Sequence, residues 1–184
     1  MDNNTHNAQE ATEQLFRSDL HRYLTSIGRV DERLPEAPDL EELWPRLAES
    51  YMPDGVREFA AYPTAALGWM MYIGMAVAKY WDEDWALYSK VDDLYRYLRD
   101  RIDFDHMDEY IMRDVLLLDD DGQHRLTDTV AECASRTDNL LRHQHLEPGT
   151  PEAFHAFVAA LHQLYLMGVA MELRTLGYHM SKVQ

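Results

Sequence analysis

Along most of the chain the apolar positions recur at helical spacing, and they predict an all-α protein. From Ala11 onward, Phe16, Leu20, Tyr23, Leu24 and Ile27 share one face, and Gly28 is placed to end that helix in the left-handed conformation. The organising stretch is Tyr62 to Trp85, YPTAALGWMMYIGMAVAKYWDEDW. Pro63 suits a first helical position, where its missing N–H has no partner to lose. No charge occurs from Ala65 to Ala78, and Leu67, Trp69, Met70, Met71, Ile73, Met75 and Val77 spread over every face. A helix apolar all round is surrounded by other helices, so a buried central helix is predicted over about 63–81. Gly68 and Gly74 each cost about 1 kcal/mol relative to Ala in a helix. Together with Ala76 and Ala78 they are read as flat spots where neighbouring helices come close.

The remaining elements follow the same logic. Val30 to Pro38 carries two prolines and reads as a surface connection, after which Asp39 and Glu42 have the spacing of a capping box. Pro45 either starts the next helix or kinks it, and Pro53-Asp54-Gly55 is a turn signal before a short helical piece from Val56 to Ala61. Leu87, Val91, Leu94, Leu98 and Ile102 form one amphipathic stripe, and Met107, Ile111, Val115 and Leu118 another over Phe104 to Leu118. A short hairpin across Val115–Leu126 is the alternative there, because the apolar run stops at an Asp-Asp-Asp-Gly turn. Thr129 and Glu132 predict the start of the next helix, with Val130, Cys133, Thr137, Leu140 and Leu141 inside. Pro148 and Gly149 close the connection that follows. The last helix has the clearest ends, with Thr150 as cap, Pro151 first and Gly177 just beyond. Its span of about 151–176 is roughly 39 Å long, and it is apolar nearly all round from Leu164 to Met171. The central and C-terminal helices are expected to pack together in a single bundle of about six or seven helices. That domain covers 9–184, behind a polar, disordered tail at 1–8.

Charge and composition narrow the function. Lys and Arg number 17 against 33 Asp and Glu, a net charge of −16, which repels phosphate backbones and anionic membrane surfaces. Nucleic acid and membrane are therefore not expected as partners, whereas a basic protein partner or a second copy of the chain is compatible. The uncharged run in the central helix is shorter than the roughly 20 residues that span a bilayer, and acids flank it. One cysteine, Cys133, permits no internal disulfide, and the opening MDNNTHNAQEATEQ lacks the apolar core of a secretory signal. A cytoplasmic setting is expected.

The chemistry-bearing candidates are few. Trp81, Asp82, Glu83, Asp84 and Trp85 bring three carboxylates between two indoles, a grouping able to hold a cation or a basic segment. The competing structural role is helix capping by Asp82 or Asp84. Asp82, Glu83, Asp92 and Asp93 are the carboxylates that a divalent-metal site for phosphate chemistry would use, although Arg96 stands four residues after Asp92 as a helical ion-pair partner. Glu152-His155 has the Glu-x-x-His spacing of di-iron bundles, and Asp103-His106 and Asp121-His124 share it with Asp, but no bridging glutamates accompany them. Asp119-Asp120-Asp121-Gly122 fails as a calcium loop, since Leu117 takes the first ligand position and Asp128 the last. Lys79, Asp114 and Glu172 fall on apolar stripes and are candidate buried ions in need of partners. Lys79 has two options, contact with Glu172 or extension of its ammonium into water. No nucleophile with a base, phosphate loop or Cys-His metal box occurs, and no cofactor is expected.

The segments LLRHQHLEPGTPEAFHAFVAALHQLYLMGVAMELRTLGY and YIGMAVAKYWDEDW resemble a family of small all-helical bacterial proteins of Bacteroidetes type with no assigned activity. The resemblance implies a helical fold and a bacterial cytosolic setting, and brings no catalytic residue or cofactor. The sequence thus points to a non-enzymatic binding or interaction module with an acidic surface. The alternative is a divalent-metal-dependent hydrolase of a phosphorylated small molecule, built on the carboxylates above.

Overall fold

The computed structural model describes residues 2–178. They form an all-α bundle, with no strand among the described residues. The helices are α1 (Asp2–Ser26), α2 (Pro38–Glu42), α3 (Trp44–Ala61), α4 (Pro63–Tyr88), α5 (Leu94–Arg99), α6 (Met107–Tyr110), α7 (Asp120–His143) and α8 (Pro151–Thr175). A 3-10 turn at Phe104–His106 leads into α6, and a π-helical turn at Ile111–Val115 follows it.

The predicted pairing of the two apolar helices is the centre of the structure. α4 and α8 pack along their lengths, α1 covers α8, and α7 and α3 lie against α4. Their closeness rests on two glycines that face each other's backbones. A Cβ on Gly74 would stand 2.4 Å from the Tyr165 carbonyl oxygen, and one on Gly168 would stand 2.3 Å from that of Met71. Only hydrogen fits there, which explains why α4 and α8 each keep a residue of poor helix propensity at the crossing. Tyr165 fills the space beside the crossing, donating its hydroxyl to the Leu40 carbonyl at 2.6 Å and stacking on Trp44. α8 is the one helix among the described residues long and apolar enough to cross a membrane, and 83% of its most apolar window is buried inside the bundle.

Several helix ends are where the sequence puts them. Gly28 has φ +76° and Gly177 φ +95°, and both close Schellman motifs: Arg29 N–H donates to Leu24 and Tyr178 N–H to Leu173, each at 2.8 Å. Thr150 caps α8 through the Ala153 N–H at 3.2 Å, with Pro151 at the first position. Pro45 starts α3 rather than kinking it.

Other expectations are corrected. Residues 2–8 belong to α1 instead of a tail, although Asn3, Asn4 and the side chains from His6 to Glu10 are exposed. Once Phe16, Leu20 and Leu24 anchor the helix in the core, each added residue extends an existing nucleus. Asp39 lies inside α2, whose N-cap is Ala37. Pro53-Asp54-Gly55 does not form a turn, because α3 runs through it. An interior proline costs about 3 kcal/mol. Burial of Leu47 and Tyr51, and the engagement of Asp54 by α5, offset that cost. The long stripe from Leu87 to Ile102 is broken at 89–93, where Asp93 starts α5 as a cap. In place of a hairpin or a start at Thr129, α7 begins at Asp120, with Asp119 accepting the Gly122 N–H at 2.7 Å. Thr129 is then interior and returns its hydroxyl to the Arg125 carbonyl at 3.0 Å.

Candidate functional site

The Trp81–Trp85 cluster forms a corner of the bundle. α4 carries Trp81, Asp82 and Glu83 to its surface end, and the helical path then breaks at Asp84, whose φ and ψ are −163° and 79°. Asp84 caps the short turn that follows by accepting the Leu87 N–H at 3.1 Å. The capping role foreseen for Asp82 or Asp84 therefore falls to Asp84. Asp82, Glu83 and Asp84 are all exposed, whereas Trp81 and Trp85 are half-buried with their rings packed on the core. The break also lets the chain fold back, stacking Tyr88 on Tyr80 with ring centroids 4.4 Å apart.

The corner is tied down from the far end of the chain. Because Gly177 reverses α8, Tyr178 returns towards α4, donates its hydroxyl to Asp82 Oδ1 at 2.7 Å and packs edge-on against Trp81 at 5.2 Å. Lys79 Nζ lies 3.7 Å from Glu83 Oε1, with its side chain only 19% exposed. Glu172 sits beneath this surface and is 7% exposed. Burial raises its pKa to about 7, the nearby Lys79 charge lowers it and the Asp82 charge raises it. Lys79 thus stands between a surface carboxylate and a buried one, its salt-bridge partner being Glu83.

Asp114 is not a buried ion. Its side chain is 43% exposed and accepts both Nε and Nη2 of Arg113, at 3.3 and 2.9 Å. It lies in the π-helical turn, where an extra residue per turn rotates the register away from the α-helical stripe that placed it inside.

The carboxylates of the metal hypothesis have separate employments. Asp92 pairs with Arg46 at 2.9 Å rather than with Arg96, which reaches Asp100 at 4.0 Å. Asp93 accepts the Arg96 N–H at 3.0 Å and the Ser50 hydroxyl at 2.7 Å. Among the described residues no group of three or more His, Cys, Asp and Glu is arranged to hold a metal ion. Of the Glu-x-x-His-like pairs, Asp103 and His106 lie exposed 3.8 Å apart, and Asp121 faces Arg125 at 3.4 Å. Burial pushes the Cys133 thiol up to about 12, which leaves it protonated and unreactive.

One ionic cluster has no signature in the sequence. Asp54, 18% exposed on its side chain, accepts the Tyr95 hydroxyl, Arg99 Nε at 3.2 Å and Arg57 Nη2 at 2.9 Å. It joins α3 to α5 and holds Tyr95 edge-on to Tyr51, with centroids 5.3 Å apart. Its placement inside a Pro-Asp-Gly tripeptide hid it, since that tripeptide signals a turn.

Comparison with family models, with curated proteins and with solved structures returns no match to this chain.

Proposed function

We propose that the protein is a non-enzymatic binding module of the bacterial cytosol, and that the Trp81–Trp85 corner is its partner-facing surface. The partner is a protein segment rich in Lys and Arg. The observation that carries this reading is the run of three exposed carboxylates, Asp82 to Asp84, on a break in α4 held in place by a cap and by Tyr178. A held surface loses little freedom on binding, so more of the contact energy appears as affinity. The half-buried indoles supply apolar area and ring faces for the stems and charges of basic side chains. The net charge of −16 steers such a partner towards the protein.

The test compares two neutralised pairs for binding to Lys/Arg-rich peptides. Asp82→Asn with Glu83→Gln is expected to weaken binding about tenfold or more, roughly 1.4 kcal/mol. Asp120→Asn with Asp121→Asn removes the same charge from an exposed turn of α7 and is expected to change affinity less than about twofold. Equal losses in the two variants mean that only overall charge attracts the peptide, and the corner is then not a site.

A further inference from the structure

A groove of about 410 Å³ lies between α4 and α7, well within the size range of small-ligand sites. Small residues line it, Gly68 from α4 and Ala134 from α7, both buried, and Ala131 from α7, which is exposed. Gly68 sets the depth, because a Cβ there would already stand 3.1 Å from Val130 Cγ1. Trp69 and Tyr72 also line it, edge-to-face with centroids 5.9 Å apart. Both rings are fixed. The Trp69 indole donates to the Phe104 carbonyl at 2.6 Å, and Tyr72 is buried to 2% exposure. Burial pushes the Tyr72 hydroxyl up to about 12, so it stays neutral.

Asp108 of α6 completes the lining, close enough to Tyr72 for its charge to act on the phenol. It is half-buried, and among the described residues it makes no ion pair, unlike Asp54, Asp92, Asp114 and Asp121. Burial raises its pKa, and the backbone N–H of Glu109 works against that rise. A carboxylate partly stripped of water gains from a cation, and Trp69, which lines the same groove, is the side chain whose ring face attracts such a charge most strongly. The lining holds a single carboxylate beside the hydroxyls of Thr64, Thr127 and Ser135, which does not suit a hydrated divalent metal ion, usually held by two or more carboxylates. An anion is repelled both here and by the protein as a whole.

We propose that this groove binds an organic ammonium, with the cation between the Asp108 carboxylate and the Trp69 ring and an alkyl chain along Gly68, Ala131 and Ala134. The site is separate from the acidic corner and does not depend on the function proposed for it.

Calorimetric titration with three probes of equal chain length, hexylammonium, hexanol and hexanoate, tests the proposal at neutral pH. Hexylammonium is expected to bind at least about tenfold more tightly than hexanol, and hexanoate not at all. Asp108→Asn removes the preference for the amine while leaving hexanol binding in place. Ala131→Phe, at an exposed position on the groove, blocks both without entering the core. Asp82→Asn with Glu83→Gln leaves all three titrations unchanged. No heat with hexylammonium, equal affinity for amine and alcohol, or a preference that survives in Asp108→Asn each overturns the assignment.

Discussion

Replacing Gly74 with Ala puts the α4–α8 crossing to a direct test. In an ordinary helix this change stabilises by about 1 kcal/mol. Here the new Cβ meets the Tyr165 carbonyl oxygen at 2.4 Å and the Val169 nitrogen at 3.2 Å. Carbon-to-oxygen approaches between packed helices run at about 3.3 Å or more, so the helices must part by roughly 1 Å. Such a gap forfeits about a quarter to a half of the dispersion energy of each contact it opens. Overpacking typically costs about 1–3 kcal/mol, and the upper end applies because backbone, unlike a side chain, has no other rotamer to adopt. Net destabilisation of about 2 kcal/mol is expected, or a fall in Tm of roughly 4–8 °C for a chain of this size. Urea unfolding followed by far-UV circular dichroism measures it. Gly168→Ala, whose Cβ meets the Met71 carbonyl oxygen at 2.3 Å, is expected to cost a similar amount. The double variant is expected to cost less than the sum, because the first separation relieves the second clash. If Gly74→Ala is as stable as the parent, the close backbone packing that defines this fold is wrong.

Two further substitutions probe the buried polar groups. Glu172 has a pKa raised from 4.5 to about 7, so between those pH values the native state holds a proton that the unfolded chain has released. Stability from this group is full below about pH 4.5 and lost as pH rises through 7, an effect on the order of 3 kcal/mol that Glu172→Gln is expected to flatten in Tm–pH profiles. Tyr95→Phe removes the hydroxyl donated to Asp54 and is expected to cost about 1.5–3 kcal/mol in chemical unfolding; a neutral result means that Arg57 and Arg99 alone satisfy the carboxylate.

What the sequence determined by itself was whatever depends on short-range pattern. The uncharged run from Ala65 to Ala78 required a helix buried on all sides, and Thr150-Pro151 and Gly177 carried the ends of α8 because capping is settled within a few residues. Gly74 was legible as a flat spot, since a poor helix former on an apolar face needs a packing reason. Tertiary structure decided the rest. Pro53 stays inside α3 because the contacts of Tyr51 and Asp54 outweigh a local turn preference, and α7 starts nine residues before Thr129 because an earlier cap lets the helix propagate. Asp114 followed an α-helical stripe on paper, but a π-helical turn rotates it into water. The acidic corner was visible as composition; that Tyr178 clasps Asp82 and that Glu172 lies beneath it depends on residues about 90 positions apart. The Asp108 groove had no local signature at all. Gly68, Trp69, Asp108 and Ala131 come together only when α4, α6 and α7 pack, and that packing half-buries a carboxylate that makes no ion pair among the described residues.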